Sequence, residues 1–240
     1  GSQTLDWASP ANAGTYTMSV DFVPDNAALF AAATSNTQTI TISKIQVSIT
    51  VTTSVATIAL GGGAVTLTAT VSPAAAPGTI QFEVNGSNFG AAQALSSGSA
   101  SISWTPSSTA GSPYGISASY TSTDNNYASS TDANTVDVTV TGAATTLVAT
   151  GSQPGSNVTL TAVITSSFGV QNDIDGGTVT WTISGAGTCT GLGAETVANG
   201  SATRTGVTCP AGTYQITATY TGAGNYAGSS DSTNFQLVVT

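Results

Sequence analysis

The chain has 240 residues, 40% of them hydrophobic and only 5% charged, whereas about a quarter of a typical soluble domain is charged. Two cations, Lys44 and Arg204, stand against eleven carboxylates, there is no histidine, and the net charge is −9. Phosphate backbones and anionic bilayers are bound through clusters of Lys and Arg, so nucleic acid and membrane surfaces are excluded as partners. The missing histidine removes the Ser-His-Asp and Cys-His nucleophiles and imidazole metal sites, so no catalytic residue is assigned.

Polarity is carried by Thr, Ser, Asn and Gln, and a chain with two trypsin sites suits an extracellular or cell-surface setting. No run of 18 apolar residues occurs, so no membrane insertion is expected of this fragment. Gly1-Ser2 reads as a cleavage scar from expression. Helical periodicity is almost absent. Period-2 alternation bounded by Gly, Pro, Asn and Ser clusters runs throughout, which is the pattern of a sandwich or barrel.

In chain order, residues 3–42 hold Trp7, then Gly14-Thr-Tyr-Thr-Met-Ser-Val-Asp-Phe22, then Asp25-Asn26 and Phe30. They read as the last strands of a module whose first strands this chain does not contain. Roughly three strands with one face to bury are marginal alone and leave open edges. They are therefore expected to acquire partner strands by β-augmentation, from another copy of the chain or from residues 43–142. Residues 42–51 form a nearly continuous β-prone join that includes Lys44.

In the middle stretch, residues 65–71, 78–86 and 99–104 alternate. Gly111-Ser-Pro-Tyr-Gly-Ile-Ser-Ala-Ser-Tyr120 then leads through Asp124-Asn125-Asn126 to Tyr127, and residues 134–141 close. The last stretch predicts strands over 145–150, 157–164, 177–183, 200–205, 212–221 and 234–240, with a turn at Gln153-Pro-Gly-Ser. Val158, Leu160, Ala162 and Ile164 share one face, and Phe82 takes the place of Trp181. The recurrence of Gly111–Tyr127 as Gly212-Thr-Tyr-Gln-Ile-Thr-Ala-Thr-Tyr220 to Tyr226 has a period near 100 residues. That period means tandem whole domains, since solenoid units are much shorter.

The string Gly-Thr-Tyr-x-Ile-x-Ala-x-Tyr-x-Gly, with Asn-Tyr-Ala-x-Ser-Ser and a closing strand, resembles the bacterial immunoglobulin-like (Big-type) repeats. The resemblance covers nearly the whole chain and is strongest over residues 143–240. It implies an all-β chain of tandem immunoglobulin-like β-sandwiches: residues 1–42 the C-terminal half of a repeat, 43–142 and 143–240 complete sandwiches. It further implies a structural or adhesive module of a bacterial cell-surface or secreted protein. Such a module acts as stalk or spacer, with other Ig-like repeats or copies of itself as partners through strand complementation. Two other functions fit the same fold: an adhesin tip binding a glycan or host-cell protein, and an accessory domain of a secreted polysaccharide-degrading enzyme. Fold resemblance does not choose among them.

Few side chains carry chemistry. Asp173 and Asp175, in Gln171-Asn-Asp-Ile-Asp-Gly-Gly177, offer hard oxygen ligands of the kind calcium takes. A full calcium loop is missing, so no metal or other cofactor is assigned and an Asp/Gly turn is the better reading. Asp25-Asn26 and Asp124-Asn125-Asn126 read as turns likewise. Cys189 and Cys209 lie 20 residues apart in an apparently exported domain and are expected to be bonded, free buried thiols being the alternative. The pairs Phe22/Phe30, Tyr120/Tyr127 and Tyr220/Tyr226 are read as structural corners of the kind seen in immunoglobulin sandwiches. Trp7 and Trp104, each six residues ahead of an Ala-Gly pair, are core residues or glycan-stacking platforms. Lys44, Glu83 and Asn134 are the residue types of a Lys–Asn isopeptide crosslink, for which the sequence carries no motif.

Overall fold

The computed structural model describes residues 4, 6, 8, 12–132, 134–153, 157–231 and 233–240. Trp7 and most of the turn expected at 153–156 lie outside the described residues. Among the described residues every regular element is a strand except one short 3-10 turn, Gln171–Asp173. Backbone contacts divide the chain into two compact units. One comprises residues 1–52, 67–102 and 116–136, the other residues 53–66, 103–115 and 137–240.

The first segment is a β-ribbon. β1 (Gly14–Met18) pairs antiparallel with β4 (Gln38–Ile42), and β2 (Asp21–Phe22) with β3 (Ala33–Thr34). Ser35 joins the two pairs: its hydroxyl takes the Val20 amide at 2.9 Å, and its own amide donates to the Val20 carbonyl at 2.8 Å. Phe22, read from the sequence as a structural corner, is 53% exposed.

The middle segment begins with β5 (Ser48–Thr53), β6 (Thr57–Ala59), β7 (Val65–Ser72), β8 (Gly78–Val84) and β9 (Ser87–Ala94). It continues with β10 (Ser99–Trp104), β11 (Tyr114–Ser122), β12 (Ser130–Thr131) and β13 (Val136–Thr141). One sheet runs β10-β7-β5, the other β6-β13-β11-β8-β9. β7 shows how the sequence makes this: Val65, Leu67, Ala69 and Val71 are buried while Thr66, Thr70 and Ser72 face water. Period-2 alternation places one set on each side of the pleat.

The last segment repeats the plan. Its strands are β14 (Thr145–Ser152), β15 (Val158–Ser166), β16 (Thr178–Gly185), β17 (Ala194–Thr196), β18 (Ser201–Val207), β19 (Gly212–Tyr220), β20 (Ser229–Ser230) and β21 (Phe235–Val239). One sheet runs β14-β15-β18 and the other β17-β16-β19, with β21 on β19. Leu147, Leu160, Ile164, Val179, Trp181, Ile216, Tyr220 and Leu237 fill the space between the sheets. Burying an aliphatic or aromatic side chain of this size stabilises by about 1.5–3 kcal/mol. Phe82 and Trp181 do occupy equivalent places, Phe82 opposite Ala118 and Trp181 opposite Ala218. β17 and β9 had no expected counterpart in the sequence. Both are edge strands with exposed faces, and exposure removes the apolar alternation that announces a strand.

Candidate functional site

The recurring residues serve the fold first. In each segment the tyrosine that follows the Gly-Thr or Gly-Ser-Pro step bonds back to the carbonyl four residues earlier. Tyr16 Oη donates to Asn12 O at 2.8 Å, Tyr114 to Ala110 O at 2.8 Å and Tyr214 to Pro210 O at 2.9 Å. This is the corner bond, and it falls on the first aromatic of each repeat rather than on the Tyr120/Tyr127 and Tyr220/Tyr226 pairs.

Tyr120 and Tyr220 act across the sheet instead. Their hydroxyls donate to Pro77 O at 2.7 Å and Gly176 O at 3.3 Å. The glycines beside those carbonyls explain the Gly-Thr step at the head of β8 and β16. A Cβ on Gly78 would strike the Thr121 carbonyl and the Tyr120 ring, and one on Gly177 would lie 2.8 Å from the Tyr220 ring. Gly177 also sits at φ +66°, where side chains are strained.

The Asn-Tyr-Ala loops carry a second repeated device. In the first compact unit, Asn126 Oδ1 accepts the Ala13 amide at 2.6 Å, and its Nδ2 donates to Asn12 Oδ1 at 3.1 Å. In the second, Asn225 Oδ1 accepts the Thr109 amide at 2.9 Å and the Thr109 and Ser108 hydroxyls at 3.1 and 3.3 Å. The backbone beside each asparagine is engaged in the same way. Ile45 N donates to Asn126 O and Ala128 N to Ile45 O; Ala143 N donates to Asn225 O and Ala227 N to Ala143 O. The sequence shows Asn-Tyr-Ala twice, which was the available signal, but not that its amide side chain takes a backbone N–H from more than a hundred residues away. Asn225→Ala is expected to lower stability by about 1–3 kcal/mol by leaving the part-buried Thr109 amide unpaired. Equilibrium denaturation checks this, with Asn225→Asp, which keeps the acceptor, restoring most of the loss.

Asp173 and Asp175 line a cavity of about 510 Å³ with Phe168, Gly169, Asn225 and Tyr226. Asp175 Oδ1 accepts the Asn199 amide at 2.7 Å, and Asp173 Oδ2 accepts the Val170 amide at 3.5 Å. The described residues hold no group of three or more His, Cys, Asp or Glu side chains. The loops at Asp124 and Asn26 are built the same way, with Asp124 Oδ1 taking the Asn126 amide at 2.7 Å and Asn26 Oδ1 the Ala28 amide at 3.1 Å.

Burial, and then the Asp173 carboxylate, push the Tyr226 phenol above its ordinary 10.0. Burial, and then Tyr226, do the same to Tyr220. A folded-state pKa above the unfolded one means the native state holds the proton longer. The stability these phenols contribute is then complete below pH 10 and lost as pH rises through the folded values. Denaturation midpoints are expected to be flat from pH 7 to about 9.5 and to fall above 10, less steeply in Tyr226→Phe.

Cys189 and Cys209 are bonded, with Cα atoms 4.3 Å apart. Trp104 is buried at 6% exposure and packs edge-on against Tyr114, ring centroids 5.0 Å apart. Its faces are spent in the core, so it offers no platform to a sugar. Lys44 and Asn134 are exposed, and Glu83 is half-exposed with Ser117 Oγ donating to it at 3.2 Å. The buried acid that an isopeptide bond requires is therefore not supplied by Glu83. Arg204 pairs with Glu195 at 2.8 Å, both partly exposed, a contact of about 0–1 kcal/mol.

The ribbon of the first segment presents Met18, Val20, Phe22, Val23, Leu29 and Phe30 to solvent. Its register is that of the last repeat. Gly14, Tyr16 and Met18 face Ile42, Ile40 and Gln38, as Gly212, Tyr214 and Ile216 face Val239, Leu237 and Phe235.

No curated protein sequence matches the chain. Among solved structures it is similar to the fibronectin(III)-like modules of Clostridium thermocellum CbhA, at 15% identity, covering 80% of this chain and 94% of that one with a TM-score of 0.27. It is also similar to the Yersinia pseudotuberculosis adhesin InvE, at 14% identity, 80% and 58% coverage and a TM-score of 0.35. A 1.5-MDa bacterial ice-binding adhesin is similar at 15% identity, 94% and 74% coverage and a TM-score of 0.33. Likenesses this distant say nothing of function. The sequence itself matches the description "Bacterial Ig-like domain (group 3)" over residues 49–141 and again over 144–240. With two matched copies, each folded as two facing β-sheets, the chain belongs to the bacterial Ig-like domain family.

Proposed function

We propose that this protein is a structural spacer of a bacterial cell-surface or secreted protein, a non-catalytic stalk built from tandem sandwiches. The observation that carries the reading is the repeated asparagine contact: Asn126 and Asn225, in the same loop of successive repeats, each take a backbone amide from the repeat before. A loop used twice to hold a neighbour is a device for tandem arrays. The disulfide suits an oxidising, extracellular setting, and recurring aromatics such as Trp104 and Tyr220 are spent in cores rather than displayed. Neither a glycan-binding tip nor an accessory domain of a polysaccharide-degrading enzyme gains a comparable observation.

The reading also holds that no metal supports the fold; among the described residues no third carboxylate joins Asp173 and Asp175. The test is a glycan and host-surface protein array probed with the full chain. Spacer function expects no saturable binding. Saturable binding to one glycan class, lost on substitution of loop residues, would move the protein to the adhesin-tip reading.

A further inference from the structure

The connections that lead into β8 and β16 differ in length. Five residues separate the end of β7 from Gly78, whereas ten separate the end of β15 from its counterpart Gly177. The sandwich plan needs only the shorter one, and surface loops built out from a rigid scaffold are where binding residues concentrate. The longer loop holds Phe168, Asp173 and Asp175, which with Asn225 and Tyr226 line the cavity of about 510 Å³.

Tyr226 is only 8% exposed, yet its hydroxyl makes no hydrogen bond among the described residues. It lies against the cavity wall. A Cβ on Gly169, itself at φ +70°, would come within 2.5 Å of Tyr226 Oη and 3.5 Å of Asp173 Oδ2. Hydroxyls of buried side chains are normally paired, so one left open at a cavity is set for a ligand atom. Each carboxylate keeps an oxygen open as well. Asp175 gives Oδ1 to the Asn199 amide and Asp173 gives Oδ2 to the Val170 amide, and the second oxygen of each takes no donor among the described residues. The ion pair found among those residues is Arg204–Glu195, so neither carboxylate has a cation of its own.

We propose that this cavity binds a small organic diammonium, an alkyl chain with a cationic nitrogen at each end. Asp173 and Asp175 take one ammonium each, and Tyr226 Oη accepts a further N–H. The Phe168 and Tyr226 rings, centroids 6.4 Å apart, flank the chain, and aromatic faces attract cations. Burial, and then the Asp173 carboxylate, keep the phenol protonated past its ordinary 10.0. The negative charges of the site are therefore the two carboxylates, which two ammoniums match. The net charge of −9 concentrates cations at the surface. A hard divalent metal fits less well, since calcium takes about six to eight oxygens and the described residues supply no third carboxylate. The cavity instead has the size of an organic-ligand pocket, roughly 300–1,000 Å³.

The inference rests on the cavity and not on the spacer reading, so its failure leaves that reading standing. The test is calorimetric titration of the full chain with 1,4-diaminobutane at neutral pH and fixed ionic strength. Saturable binding is expected. Asp173→Asn with Asp175→Asn should weaken it by about tenfold or more, through loss of two charge-assisted bonds. Asparagine keeps an acceptor for the Asn199 and Val170 amides, so the loop is retained. Tyr226→Phe, which keeps the ring, should weaken binding by about fivefold, the value of one neutral hydrogen bond. Asp21→Asn with Asp137→Asn makes the same change in net charge away from the cavity and should leave binding unchanged. Absence of saturable binding overturns the proposal, as does an equal loss in the Asp21/Asp137 variant, which would mean general attraction to an acidic protein. Calcium that displaces the diamine would make the cavity a metal site. Equally tight binding of Nα-acetyl-lysine methylamide would make the occupant a single ammonium of the kind a protein lysine presents, and either result overturns the diammonium assignment.

Discussion

Phe82→Ala is expected to destabilise residues 43–142 by about 3–5 kcal/mol, the range for truncating a fully buried phenylalanine. Phe82 has no exposed surface. It lies on β8 between Ala118 of β11 and Phe89 of β9, so the vacated volume is bounded by backbone on both sides and collapses poorly. Domains of this size are stable by about 5–15 kcal/mol in total. The variant should therefore show an early unfolding transition for this repeat, with the last repeat melting as before. Phe89→Ala, at a half-exposed position on an edge strand, is the internal comparison and should lose far less. Equal losses would mean that burial at Phe82 does not dominate.

Removing the Cys189–Cys209 bond, by reduction or by replacing both residues with alanine, is expected to act on the other repeat. The bond spans 20 residues, and closing a loop of that length contributes about 3 kcal/mol in the chain-entropy account. For a sandwich of about 100 residues the melting temperature should then fall by about 10–20 °C. Calorimetry with and without reductant reads this directly. The transition of residues 43–142 should not move, because no cysteine lies there. An unmoved transition of residues 143–240 would show that the unfolded chain gains no freedom when the bond is cut.

The two tests divide the stabilisation between the repeats. The middle repeat depends on its packed aromatic, and the last carries a covalent tie between the end of β16 and the segment after β18. Trp181 holds the equivalent of the Phe82 position there, but its indole Nε1 is buried without a partner among the described residues. An unpaired buried donor is destabilising by about 1–3 kcal/mol.

Much was legible before any coordinates. Alternation in Val65–Val71 and Val158–Ile164 announced strands and which face of each is buried, because the pleat turns period 2 in sequence into two faces in space. The recurrence of the Gly111–Tyr127 pattern in Gly212–Tyr226 announced tandem modules, and the spacing of the two cysteines their bond. These features are local, or are copies of one another, so the chain displays them without folding.

What only the tertiary structure decided is where side chains go when the partner is distant in sequence. Trp104 could be read as core or as platform until Tyr114 was found against it. The corner bond moved to Tyr16, Tyr114 and Tyr214 because it depends on a carbonyl's direction, which no residue pattern encodes. Gly78 and Gly177 became necessary only when Tyr120 and Tyr220 crossed over them. Asn225 took its role from the Thr109 amide, 116 residues away. Periodicity is a property of one strand, whereas a hydrogen-bond partner or a close approach is a property of two.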